Sequence, residues 1–237
     1  MQFKSPLVRG RLVKRYKRFL ADVVLDDGSE VTASCPNTGS MMGLSNPGMA
    51  VWLSVSDSPT RKYAHTWELV ELGKGKAKTL VGINTGHPNA IVSEAITAGR
   101  VAPLGGYSSL RREVKYGQSS RIDLLLEDPS KGLAYVEIKN VHLLREPGLA
   151  EFPDSKTERG VKHLAELSDM VRAGHRAVIL YLIQRADADR FQVAHDIDPT
   201  YAKALETARA AGVEAYAAIC RISPKAIELD RLLPEIS

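Results

Sequence analysis

Arg121-Ile122-Asp123-Leu124-Leu125-Leu126 and, a little downstream, Tyr135-Val136-Glu137-Ile138-Lys139-Asn140 decide both the fold and the chemistry of this chain. Each is an apolar run of strand length, and successive side chains of a strand point to opposite faces. Val136 and Ile138 therefore point into a core, while Glu137 and Lys139 emerge together on the other face. Asp123 begins an apolar strand of its own, so side-by-side pairing of the two strands brings two carboxylates and an ammonium together. Clustered carboxylates repel and must be protonated, neutralised or bridged by a cation. Mg²⁺ (or Mn²⁺) meets that need: a hard ion prefers oxygen ligands and keeps waters, which suits Asp123 and Glu137 as ligands with an open side for phosphate. Lys139 would orient or help deprotonate the attacking water, or stabilise the developing charge. Asp123, Glu137 and Lys139 thus form a candidate catalytic set for cutting a phosphodiester. The pattern is short, and Glu with Lys on one strand face also describes a solvated cross-strand pair.

The flanking segments predict a mixed sheet with helices on its faces. Strands are expected at 79–84, 110–116, 122–126, 133–138, 177–183 and 213–219, and helices at 88–98, at 157–171 and from Asp198-Pro199 to Gly212. Glu94, beside the stripe Ile91, Val92, Ala95 and Ile96, and Gln184, at the end of an apolar strand, occupy positions from which a helix and a strand could add to the site. Arg159, Lys162, His163 and Glu166 fall at i, i+3, i+4 and i+7 and share one helix face, with Val161, Leu164, Leu167 and Val171 turned to the sheet. That face is read either as phosphate-binding or as merely solvated. His163 has no partner at zinc spacing and is not assigned to a metal.

Residues 7–72 read differently. Segments 8–16, 19–25, 30–35, 50–56 and 63–72 are short strands parted by turn signals, with Asp26-Asp27-Gly28 as a hairpin turn and 36–48 as a loop rich in Gly, Pro, Asn and Ser. Five strands and one long loop suit a small barrel, and Gly73-Lys74-Gly75-Lys76 is the expected linker. Arg9, Arg11, Lys14, Arg15, Lys17 and Arg18 interleave with Val8, Leu12, Val13, Tyr16 and Phe19, a pattern that suits single-stranded nucleic acid, or else a charged, aggregation-resistant edge.

The bulk composition is that of an ordinary globular chain, with 237 residues, 44% hydrophobic and 25% charged, which argues against disorder. The net charge is only +4, but every charged side chain up to Leu20 is basic. Cys35 and Cys220 fit neither a CxxC pair nor a secreted disulfide framework. With no signal-peptide pattern and no run near the roughly 20 apolar residues of a spanning helix, the expected location is cytoplasmic, away from membranes.

Four stretches resemble the sugar fermentation stimulation protein family: Cys35-Pro36-Asn37-Thr38-Gly39-Ser40-Met41; Asn84-Thr85 with Pro88-Asn89; Val136-Glu137-Ile138-Lys139-Asn140-Val141; and Phe152-Pro153-Asp154-Ser155-Lys156-Thr157-Glu158-Arg159-Gly160-Val161-Lys162-His163-Leu164. The resemblance implies an α/β (α+β) chain. An N-terminal OB-fold-like β-barrel would occupy residues 1–76, and a C-terminal PD-(D/E)xK nuclease-like mixed sheet with flanking helices residues 77–237. Asp123, Glu137 and Lys139 match the nuclease-like motif, with Glu94 and Gln184 as accessory positions, and the loop 36–48 is expected to line the cleft between the domains. The implied partner is nucleic acid, DNA ahead of RNA. A Mg²⁺-dependent nuclease is the leading reading; a non-catalytic DNA-binding regulator of sugar metabolism is the alternative, and direct sugar binding ranks last with 6% aromatic residues. Substrate strandedness and oligomeric state stay open.

Overall fold

Residues 1–73, 75–117 and 120–233 are described by a computed structural model. Lys74 of the expected linker lies outside the described residues. In the N-terminal part, β1 (Val8–Tyr16) turns into β2 (Leu20–Leu25) through Lys17 and Arg18, both at positive φ, a conformation that costs a non-glycine residue about 1 kcal/mol or more. Arg15 helps hold this turn, its guanidinium donating to the Arg18 carbonyl at 2.9 Å. β3 (Glu30–Ser34), β4 (Ala50–Val55), β5 (His65–Leu72) and β6 (Thr79–Gly82) complete a sheet of order β3-β2-β1-β4-β5-β6. A short parallel pairing of β3 with β5, Ala33 to His65 and Ser34 to Thr66, closes the first five strands into the expected barrel. Leu12, Val23, Ala33, Leu53, Trp67 and Val70 fill it.

β6 follows the linker in sequence yet pairs antiparallel with β5, and Val81 and Ile83 join the barrel core. Val81 also bridges to Arg185 of the C-terminal part, so this strand touches both halves.

The C-terminal sheet has the order β15-β14-β12-β9-β8-β7, formed by β7 (Ser109–Tyr116), β8 (Ser120–Asp128), β9 (Gly132–Val141), β12 (Arg176–Ile183), β14 (Glu214–Ile222) and β15 (Ile227–Leu232). β9, β12 and β14 are parallel and the outer pairs antiparallel, which gives the mixed sheet expected. β10 (Leu143–Glu146), β11 (Gly148–Phe152) and β13 (Ala188–Val193) make a separate small sheet. α1 (Pro88–Thr97) packs Ile91, Val92, Ala95 and Ile96 on one face of the large sheet, against Leu124, Val136 and Leu180. α2 (Glu158–Arg172) and α3 (Pro199–Ala210) cover the other face through Leu164, Leu167, Tyr201 and Leu205. Asp198 ties these two helices together: one carboxylate oxygen caps α3 at the Tyr201 N–H and the other accepts from the Thr157 N–H at the start of α2.

The loop 36–48 docks on the second half. Ser40 Oγ donates to the Asp154 carboxylate at 3.0 Å, the Met41 N–H donates to the same group, and Thr85 Oγ1 donates to the Pro36 carbonyl at 2.6 Å. Burial works to raise the pKa of Asp154, but the His142 ring 3.4 Å away and the hydrogen bond from Ser40 outweigh it and bring it down to about 2.

Candidate functional site

Asp123 sits where β8 and β9 part. The two strands pair from Leu124 and Val136 onward, and short of that point the Asp123 carboxylate takes over the ladder. Its Oδ2 accepts from the Ile138 N–H at 2.8 Å and its Oδ1 from Asn89 Nδ2 at 3.0 Å. Asn89 lies in the first turn of α1, which aims its amide across the seam. Burial, then the nearby Glu137 charge, pushes the Asp123 pKa up to about 6.

Glu137 and Lys139 project from β9 towards α2, and that face is covered rather than solvated: Glu137 is only 3% exposed. Glu137 Oε1 accepts from Lys139 Nζ at 2.7 Å and from the His163 ring. The His163 contacts fix its tautomer. Arg159 Nε donates to Nε2 at 3.2 Å, so Nδ1 carries the hydrogen and donates to Glu137 Oε1. Burial tends to raise the Glu137 pKa, yet the His163 hydrogen bond and the Lys139 charge leave it below the ordinary value.

Both donors therefore converge on one oxygen. Glu137 Oε2 is buried without a hydrogen-bond partner, as are both carboxylate oxygens of Glu166 and the hydroxyl of Tyr116. A buried carboxylate oxygen left unpaired is costly, and a cation or its water would relieve that cost. Two neighbouring carboxylates, one raising the other's cost of ionisation and itself holding a buried oxygen without a hydrogen bond, fit a hard divalent cation. Among the described residues no three His, Cys, Asp or Glu side chains stand close enough to enclose a metal, so waters or phosphate would complete its shell. Cys35 and Cys220 are free and buried in the cores.

Other expected residues lie apart from this cluster. Glu94 turns away and its carboxylate takes the Met1 ammonium at 2.5 Å; the α1 residue that reaches Asp123 is Asn89. Gln184 is fully buried and donates to Asn140 Oδ1 at 2.6 Å, while a Cβ at Gly82 would lie 2.5 Å from its Oε1. Gln184 thus packs where β6 crosses the sheet, one step removed from Lys139 through Asn140. His163 is 4% exposed, held by Glu137 and Arg159, so it faces the carboxylates and not the surface. Glu166, on the face read as phosphate-binding or solvated, is 8% exposed and equally turned inward, whereas Lys162 stays outside, 3.7 Å from it.

Much of the basic N-terminal stripe is engaged within the barrel. Arg9 pairs with Asp26 and Glu71, Lys14 with Asp22, and Arg11 donates to the Gly48 carbonyl. Arg15 donates to the carbonyls of Asn37 and Gly39, and Arg18 to that of Thr38, so these two hold the docking loop. Lys17 is exposed at the turn beside Phe19, which is 52% exposed.

Residues 13–83 match the family model of the SfsA N-terminal OB domain, and residues 86–226 that of the Sugar fermentation stimulation protein RE domain. The chain is 60% identical to a sugar fermentation stimulation protein homolog of Brucella anthropi over 99% of both chains, and 61% identical to one of Sinorhizobium medicae over 94% of this chain and 92% of that one. Its fold matches the structure of SfsA from Pyrococcus furiosus in complex with Ca²⁺, with a TM-score of 0.88 and 26% identity over 100% of this chain and 98% of that chain. Both halves match in order and the relatives match end to end, so the chain belongs to the sugar fermentation stimulation protein family.

Proposed function

We propose that this chain is a divalent-metal-dependent nuclease, using Mg²⁺ or Mn²⁺ at Asp123 and Glu137 to cut a phosphodiester of nucleic acid, DNA ahead of RNA. The observation that carries the reading is the seam itself: Asp123, Glu137 and Lys139 meet beside a buried carboxylate oxygen with no partner. A protein that only bound nucleic acid would gain nothing from setting carboxylates against phosphates. The complex of the Pyrococcus furiosus protein with Ca²⁺ supports a hard-cation site in the family, and the two oxygen ligands suit Mg²⁺ equally.

When bound, the cation would supply charge neutralisation and activation of water. The remaining work falls to side chains. Asn89 and the Ile138 N–H fix the rotamer of Asp123, and His163 fixes that of Glu137. Lys139 offers an ammonium to the charge that builds on the phosphate oxygens, an interaction that strengthens towards the transition state. Exposed Lys17 and Arg159 would hold the backbone of the substrate, and exposed Phe19 would offer it a stacking face. The test is a cleavage screen on single- and double-stranded DNA and RNA with Mg²⁺ or Mn²⁺, beside the double variant Asp123→Ala, Glu137→Ala. Cleavage by the wild type and none by the variant is expected. A wild type that binds DNA yet cuts no substrate would favour the regulator reading instead.

A further inference from the structure

Glu166 has no role in the three-residue motif, and its surroundings are unusual for a glutamate. Its side chain leaves α2 one turn beyond His163, and both of its oxygens are buried without a hydrogen bond. Lys162 is too distant, at 3.7 Å, to make one. Gly117 presses against it, since a Cβ there would stand 3.3 Å from Oε1. Tyr116, the residue before, is 7% exposed and has a buried hydroxyl with no hydrogen bond, within range of the charges of Glu137, Glu166 and Asp123. Burial, then the charges of Glu137, Glu166 and Asp123, raises the Tyr116 pKa, so its hydroxyl keeps its proton and remains a donor. Among the described residues, the groups here without a hydrogen bond are thus Glu137 Oε2, two oxygens of Glu166 and one phenol. Burying a carboxylate without hydrogen bonds is costly, and one ammonium at 3.7 Å from a single oxygen does not replace the donors that water gave it.

We propose that Glu166 is a positioning residue for a divalent cation at Asp123 and Glu137, accepting hydrogen bonds from the waters of its shell, with the Tyr116 hydroxyl bonded to the same waters. This rests on the metal-site reading above and adds the far wall of that site. Water carries the contact because Glu166 does not close a three-carboxylate cage. Groups that bind a metal's ligands in this way are commonly worth 10- to 100-fold in metal affinity.

The experiment measures Ca²⁺ and Mn²⁺ binding by calorimetry, with no nucleic acid present, for the full chain and for Glu166→Gln, Tyr116→Phe, Glu137→Gln and the surface control Glu206→Gln on α3. Glu166→Gln is expected to weaken binding about 10- to 100-fold, Tyr116→Phe by less, and Glu137→Gln to abolish it. Thermal melts supply a second readout that separates this role from a structural one. Without metal, Glu166→Gln is expected to melt above the wild type, because a neutral amide replaces a buried carboxylate that makes no hydrogen bond and loses only a 3.7 Å ion pair to the exposed Lys162 ammonium; with Ca²⁺ its gain in Tm is expected to be smaller than that of the wild type. Glu166→Gln binding within twofold of wild type, or melting below it without metal, overturns the proposal while leaving Asp123 and Glu137 in place. A wild type that binds neither cation removes the metal site and this proposal with it.

Discussion

Replacing Asp123 by Asn tests the electrostatics of the seam without any knowledge of substrate. The carboxylate is held mostly out of water next to Glu137, and its pKa of about 6 stands against 3.8 for an unperturbed Asp. Because the folded value is the higher, the native state binds the proton more tightly than the unfolded chain does. The stability this provides is complete below about pH 3.8 and is lost as pH rises through about 6. The displacement corresponds to about 3 kcal/mol between those limits, an upper figure given partial access to water. Asn cannot ionise, so that part of the pH dependence disappears. In EDTA, urea unfolding from pH 4 to pH 8 is expected to show the variant gaining about 2 to 3 kcal/mol on the wild type as pH rises. Adding Ca²⁺ at pH 8 is expected to reverse the order, since only the wild type keeps both carboxylates. Parallel pH profiles in EDTA would show that Asp123 ionises freely and that its contact with Glu137 is weaker than its burial implies.

Lys139→Ala is expected to leave DNA affinity within about twofold and to cut single-turnover cleavage at least 100-fold, measured by filter binding and quenched flow; equal losses in both would assign Lys139 to ground-state binding. Arg15→Ala removes donors to three carbonyls at the turn and docking loop, so a loss of about 2 kcal/mol in chemical unfolding is expected, with Lys17→Ala unchanged in stability but weaker on DNA and less salt-dependent. Asp154 has a lowered pKa, near 2, so its contribution of about 2 kcal/mol is present above pH 3.8 and fades as pH falls towards 2; Asp154→Asn is expected to be less stable at pH 7 and to converge with the wild type in acid.

The strands of the barrel and the central sheet were legible because turn residues bound them and their apolar positions alternate or run on. Others gave no such signal. β13, Ala-Asp-Arg-Phe-Gln-Val, carries two exposed charges in a row, and β10 and β11 are separated by Pro147 alone, so neither reads as a periodic segment. Asp123, Glu137 and Lys139 stood out because charge inside an apolar strand is rare. Asn89 did not, for an amide in the first turn of a helix passes as ordinary, and Glu94 drew attention only by its charge. His163 and Glu166 lay on the polar side of an amphipathic helix, and hydropathy cannot distinguish a side turned to water from one turned to a buried polar site. The basic stripe is opaque in the same way, since sequence does not reveal that Arg15 and Arg18 direct donors to the chain's own carbonyls.

β6 makes the two halves hard to part. A protease or a gene fragment that ended the chain at Lys76 would strip a strand from β5 and take Val81 and Ile83 out of the barrel interior. The row Leu69–Leu72 would then stand open to a neighbouring molecule, the usual start of edge-to-edge aggregation. A fragment running on to Ile83 keeps that strand, but loses the Asp154 anchor of its longest loop. The N-terminal end adds a second tie, since Met1 and Phe3 bond to Ile227 and Lys225, so the intact chain is expected to melt in one cooperative step.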